Sequence, residues 1–254
     1  MQSRFVIFIF LVSLSLLSVA QDSLHTPVIV RKAEPGKDIT ISYSAEIKSN
    51  SSNTGIGETY NGGIKTVFSS GNKVRVRLVS LMRTESIFLF PRNATNKTSS
   101  ITKESGKNKY KYYLTEEEWK QFNTKYDSCT CQFTYDSTMI LNYPCRKAII
   151  SLKDGRSIGV YYTDSLQGKN FSLAEPLFSC IPGVVLQYEY RYKKGKIIYT
   201  ATSISEEKIN PVVFQIPAKD VLTRKFSMKP VPGKNADIPA GDEEDEKDAT
   251  ESNR

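Results

Sequence analysis

With 254 residues, 39% hydrophobic, 24% charged and 11% aromatic, the chain has an ordinary globular composition, which excludes a collagen-like, coiled-coil, wholly disordered or multi-span membrane protein. Its 35 Lys and Arg against 27 Asp and Glu give a net charge of +8, a balance that taken alone suits an anionic partner. The charge is uneven: residues 21–233 hold 31 bases and 19 acids, whereas residues 234–254 hold eight acids and three bases.

The N-terminus sets the expected compartment. Arg4 provides a basic start, Phe5 to Leu17 an apolar run, and Ser18-Val19-Ala20 small residues at a cleavage site. This is a signal peptide (1–20) cut after Ala20, too short for a bilayer-spanning helix of about 20 residues. The predicted product is periplasmic or secreted, with no transmembrane segment after cleavage. Residues 21–36, with Pro27, Pro35 and Gly36, form a lead-in. A single β domain follows over 37–228, and 229–254 is an acidic tail whose lack of large apolar residues predicts disorder. No nucleic-acid-binding motif accompanies the basic charge. Lipid or another anionic envelope component is the more natural partner.

Alternation dominates the domain. Asp38 to Lys48 sets Ile39, Ile41, Tyr43, Ala45 and Ile47 against polar neighbours, the period of a half-buried strand. Ile64 to Ser69 and Lys73 to Leu81 flank Ser70-Gly71-Asn72 as a hairpin. Ser86 to Pro91 is apolar, and residues 92–109, rich in Ser, Thr and Lys, read as a polar loop. Tyr110 to Leu114 leads into one helix near 115–124. There Thr115 and Glu118 spell a capping box, and Trp119 and Phe122 share a face. Further strands are predicted at 129–135, 139–141, 146–152, 157–163, 184–192, 196–205 and 212–216, separated by turn residues such as Asp136-Ser137 and Asp154-Gly155. The fold class is mainly β: a strongly curled antiparallel sheet or incomplete β-barrel with one covering helix.

Chemistry is sparse in this pattern. His25 is the single histidine, which leaves a Ser/His/Asp or Cys/His mechanism without a base. No phosphate-binding, metalloprotease or nucleotide motif occurs, so neither a catalytic residue nor a cofactor is expected. Cys129, Cys131, Cys145 and Cys180 read as structural disulfides with three open connectivities, rather than as a zinc site, for which paired C-x₂₋₄-C knuckles are missing, or a redox-active Cys-x-Cys, since a redox pair favours C-x-x-C at a helix start and Ser128 to Thr134 reads as a strand. In a strand, Cys129 and Cys131 point to one face and bond more readily to neighbours than to each other. Tyr188 and Tyr190 share a strand face, suited to ordinary cross-strand filling or to an amphipathic binding surface.

Two stretches carry a family likeness. Ile140-Leu141-Asn142-Tyr143-Pro144-Cys145-Arg146-Lys147-Ala148, followed by Val160-Tyr161-Tyr162-Thr163, resembles the core of the GLPGLI family, secreted envelope proteins of Bacteroidota. The naming motif falls on Cys180-Ile181-Pro182-Gly183-Val184-Val185, where Pro182 and Gly183 are identical and Cys180 replaces a glycine. The resemblance covers about residues 37–217 and is densest over 139–205. It implies a shape similar to periplasmic lipoprotein carriers, a curled incomplete barrel holding acyl chains beneath a helix. The function it implies is non-catalytic binding of an amphiphilic or lipid ligand, with Trp119, Phe122, Ile181, Pro182, Gly183, Tyr188 and Tyr190 as candidates. A structural or interaction module of the cell surface is the alternative. Ile181-Pro182-Gly183 itself suits a turn with Pro at its second and Gly at its third position. If the strands at 129–135 and 145–152 form a hairpin centred on residue 138, Cys131 faces Cys145 and leaves Cys129 for Cys180.

Overall fold

A computed structural model describes residues 38–49, 61–166, 170–192 and 195–227. The expected signal peptide and lead-in, His25 and the acidic tail lie outside the described residues. The first half is a meander of β1 (Ile39–Ser49), β2 (Ile64–Ser70), β3 (Lys73–Val79), β4 (Arg83–Leu89), β5 (Lys97–Ser105) and β6 (Asn108–Thr115), followed by helix α1 (Glu116–Phe122). The second half runs through β7 (Thr130–Ile140), β8 (Tyr143–Ser151) and β9 (Ser157–Thr163). The short helix α2 (Phe171–Ala174) comes next, and then β10 (Val184–Tyr192), β11 (Gly195–Ser205) and β12 (Leu222–Thr223). Among the described residues these twelve strands form one sheet in the order β12-β6-β5-β4-β3-β2-β1-β11-β10-β9-β8-β7. The long β1·β11 pairing joins the two meanders, and β12 runs parallel to β6. The sheet is open, with β12 and β7 at its edges.

Period-two patterning places the core. Ile39, Ile41, Tyr43 and Ala45 of β1 are buried on one face, as are Val74 and Val76 of β3 and Ile158, Val160 and Tyr162 of β9. The capping box of α1 is formed: the Thr115 hydroxyl accepts from the Glu118 backbone N–H at 3.1 Å, and the Thr115 N–H donates to Glu118 Oε2 at 2.7 Å. That backbone bond, outweighing partial burial and aided by Lys97, holds the Glu118 carboxyl below its usual range. No residue of α1 is fully buried, and the helix lies against β5 and β6.

Several expectations change. Residues 97–105 are strand β5, not loop, with Ser99, Ser100 and Ile101 buried. Small hydroxyl side chains fit a covered sheet face, and Ser100 Oγ satisfies itself on the Tyr112 carbonyl at 2.8 Å. The two strands expected at 129–135 and 139–141 are one strand, β7, and the predicted turn at Asp136-Ser137 is a register irregularity between Phe133 and Ser137. Residues 211–214 form a 3₁₀ turn in place of the expected strand; Asn210 caps it through Val212 N–H at 3.0 Å and Pro211 opens it.

The cysteine pairing is also corrected. Cys131 is bonded to Cys180, and Cys129 and Cys145 are free. The β7–β8 hairpin turns at Leu141-Asn142, not at residue 138, so Cys131 stands opposite Ile150 and Cys145 opposite Thr138. Cys145 is 1% exposed, and burial pushes its thiol up to about 11. Leu141 and Asn142 both adopt left-handed φ, at 50° and 64°, the signature of a two-residue primed hairpin turn. Asn accepts this conformation; Leu does so at a cost of about 1–2 kcal/mol. Leu141→Asn is therefore expected to stabilise the chain by about 0.5–1 kcal/mol, read as a raised urea midpoint; a lowered midpoint contradicts the strain.

Candidate functional site

The described residues between β9 and β10, 164–166 and 170–183, lie across the inner, core-bearing face of the sheet. Leu166, Ala174, Leu177, Phe178 and Ile181 are buried there, and each of the larger ones contributes about 1.5–3 kcal/mol by burial. Three contacts anchor the segment. Asn170 Nδ2 donates to the Gly71 carbonyl at 2.6 Å, Glu175 pairs with Lys65, and Cys180 is bonded to Cys131. No alternation marks this stretch in the sequence. Its only visible signal is a concentration of large apolar residues, Phe171, Leu173, Leu177, Phe178 and Ile181, without a strand or helix period.

Lys65 is the centre of the site. Register places it directly opposite Tyr43 of β1, while Tyr199 of β11 stands opposite Tyr188 of β10. The tyrosine rings and Phe178 surround the Lys65 ammonium, which lies 4.8 Å from the Tyr188 centroid, 5.0 Å from Tyr43 and 5.8 Å from Tyr199 and Phe178. Such a cage favours a cation through the negative faces of its rings. Tyr188 and Tyr199 stack at 4.7 Å, and Phe178 meets Tyr188 edge-on at 5.1 Å. Lys65 donates to the Glu175 carboxylate and, at 3.1 Å, to the Tyr188 hydroxyl. Tyr43 donates to the Val185 carbonyl at 2.8 Å.

Lys65 is 4% exposed. Desolvation lowers its pKa, and the Glu175 carboxylate opposes that shift by charge and hydrogen bond. Burial raises Tyr43 and Tyr188 well above the ordinary phenol value, with the negative charge of Glu175 adding to it. Nothing in the sequence points to Lys65. A lysine in a strand is expected outward, and Ile64 and Phe68 compete with Val67 for the inner parity of β2. In the structure Lys65 and Val67 face in, while Ile64 is exposed.

Two cavities adjoin this cage. One of about 570 Å³ is lined by Tyr43, Val67, Phe171, Glu175, Phe178, Ile181, Pro182 and Gly183 among others. The other, about 160 Å³, is mostly apolar and is lined by Lys65, Phe122, Tyr126, Glu175, Leu177, Tyr188, Tyr190 and Tyr199 among others. Glu175 borders both. Of the expected site residues, Ile181, Pro182 and Gly183 line the larger of these two and Phe122, Tyr188 and Tyr190 the smaller, and Tyr190 also lines a third cavity of about 730 Å³ away from the cage. Trp119 lines neither and stacks on Phe122 at 5.8 Å. Arg156 holds the Tyr190 hydroxyl at 2.6 Å. The Ile181-Pro182-Gly183 bend does not rely on a left-handed glycine. Gly183 is needed for space, because a Cβ there would stand 2.2 Å from the Thr163 carbonyl oxygen. No group of three or more His, Cys, Asp or Glu side chains suited to a metal ion occurs among the described residues.

No protein-family model and no curated protein matches the chain. Among solved structures the chain is similar to PNGF-II at 17% identity and a TM-score of 0.43, covering 74% of this chain and 31% of that one. It therefore spans less than a third of PNGF-II. It is similar to an uncharacterised conserved protein from Thermus thermophilus at 6% identity and a TM-score of 0.45, covering 78% of this chain and 95% of that one. It is also similar to the LolA-superfamily protein NE2245 from Nitrosomonas europaea at 10% identity and a TM-score of 0.25, covering 74% and 94%. No helix among the described residues is long and apolar enough to cross a membrane.

Two measurements follow from the geometry. Gly183→Ala is expected to destabilise the chain by about 1–3 kcal/mol, since a backbone carbonyl cannot yield as a side chain would; an unchanged urea midpoint would show that the bend relaxes freely. The second concerns pH. Lys65 holds its proton less tightly folded than unfolded, so its contribution to stability increases as pH rises through its depressed folded value toward 10.5. Tyr43 and Tyr188 act in the opposite sense, and stability is lost as pH passes above 10.0. From neutral pH up to 10.0, the urea midpoint of the wild type is expected to climb relative to Lys65→Met, and a constant difference would mean that Lys65 is not desolvated.

Proposed function

We propose that the chain is a non-catalytic, secreted or periplasmic protein that binds an amphiphilic or lipid ligand, as its GLPGLI resemblance implies, that the sheet curls around the ligand, and, from the site itself, that the ligand's head is anionic. The carrying observation is the buried Lys65 in its aromatic cage, paired with a carboxylate that borders both cavities. An anionic head can replace Glu175 on Lys65 from the smaller, mostly apolar cavity that Lys65 lines, with the rest of the ligand reaching past Glu175 into the larger, more polar cavity beside Val67, Phe171, Phe178 and Ile181. At about 570 Å³ that cavity has the size of an ordinary small-molecule site, whereas the one of about 160 Å³ is below it.

The second reading is a surface interaction module, favoured by β7. This edge strand exposes Phe133, Tyr135 and Met139, with Leu141 at its turn, an apolar row suited to strand addition or docking.

A fluorescent long-chain carboxylate titrated into the purified chain separates the two. Saturable binding is expected. Lys65→Met should weaken it about tenfold or more, the equivalent of losing about 1.4 kcal/mol, and Glu175→Gln should tighten it. Absence of binding to both the wild type and a folded Glu175→Gln variant would leave the interaction module as the surviving reading.

A further inference from the structure

Three of the four cysteines converge on one point. Cys131 and Cys180 are bonded, and the free Cys129 Sγ stands 3.8 Å from Cys180 Sγ. Two residues apart, Cys129 and Cys131 present their sulfurs to one side of the chain and meet a single partner there. Cys129 is held at the mouth of β7 by a left-handed Ser128 at φ 62° and by its N–H on the Tyr126 carbonyl at 3.4 Å. Its sulfur also lies 3.5 Å from Ser179 Oγ and 4.0 Å from the Leu177 carbonyl. Cys145 takes no part: it is buried within β8, with its thiol on the Tyr143 carbonyl at 3.4 Å.

We propose that Cys129, Cys131 and Cys180 form an intramolecular thiol–disulfide exchange site in which Cys180 has two alternative partners. A disulfide needs its sulfurs at about 2.05 Å, so Cys129 Sγ has less than about 2 Å to travel. After losing its proton to water, the Cys129 thiolate donates its electron pair to Cys180 Sγ. The Cys129–Cys180 bond forms, the Cys131–Cys180 bond breaks, and Cys131 leaves with the bonding electrons and takes up a proton. One disulfide and one thiol exist before and after, so no external oxidant or reductant enters. The exchange moves the anchor of the segment on the inner face from a residue paired within β7 to one before it, about 7 Å along an extended chain. Cys180 adjoins Ile181, Pro182 and Gly183, which wall the larger cavity, so the two bonds correspond to two settings of that wall. This chemistry stands whether or not an amphiphile occupies the cavity.

Peptide mapping tests it on the full chain. The purified protein is incubated with iodoacetamide, digested without reduction, and the alkylated sulfur is located by fragmentation. Label on Cys129 beside a Cys131–Cys180 bridge together with label on Cys131 beside a Cys129–Cys180 bridge is the expected result. Cys131→Ser, oxidised with glutathione disulfide, is expected to bridge Cys129 to Cys180. Wild-type label confined to Cys129 after prolonged incubation overturns the proposal, and it decides alone if the variant does not fold.

Discussion

A charged amine placed among four aromatic rings needs a counter-charge, and that requirement organises the inner face of this sheet. Lys65 gains electrostatic attraction from the ring faces, but these alone do not replace water around an ammonium group. Glu175 supplies the missing partner, and it arrives on a segment that belongs to neither β9 nor β10. The pair therefore fixes where that segment crosses the sheet. With one partner removed, the other is left as an uncompensated charge in a poorly solvated site, an outcome that costs about 3–5 kcal/mol for a buried pair. Leu177, Phe178 and Ile181 follow the anchor into the core, and the cavities are the spaces that this arrangement leaves open.

The constraint also links the two meanders. Tyr43 comes from β1, Lys65 from β2, Tyr188 from β10 and Tyr199 from β11, so the cage straddles the β1·β11 seam that makes one sheet of both halves. The polar contacts of the cage are sequence-distant: Lys65 reaches Glu175 over 110 residues, and Tyr43 reaches Val185 over 142. Long-range contacts of this kind slow folding, because loop-closure entropy is spent before they form.

Elements whose faces differ in polarity are legible from the residues. β1, β3 and most of β9 alternate cleanly, and the capping box marks α1 within a residue or two. Where polarity and burial part company, the reading fails. β5 buries serines yet reads as loop, because hydroxyl-rich stretches usually meet water. Lys65 escapes notice because a cage for its charge is assembled from strands far apart in the chain. The segment with Phe171, Leu177 and Phe178 has no period at all, so only tertiary contact defines it. The cysteine pairing fails for a local reason: Leu141 occupies a left-handed turn position that residue preference assigns to Gly or Asn, and the expected hairpin centre is displaced accordingly. Of the candidate site, Phe122, Tyr188, Tyr190 and the Ile181-Pro182-Gly183 bend are in view, while the ion pair joining their two cavities is not.

The two edges of the sheet are not alike. At one, β12 is a two-residue parallel strand that covers part of β6, with Arg224 N–H on the Lys111 carbonyl and Phe226 against Tyr112 and Phe122. At the other, β7 runs eleven residues and, among the described residues, pairs only with β8. A sheet with two open edges can add copies of itself without end. Two copies that meet edge to edge around a two-fold axis use up the paired ladder of each. Among the described residues β7 thus offers the longer bare ladder, since β12 pairs only with Tyr110 and Lys111 of β6.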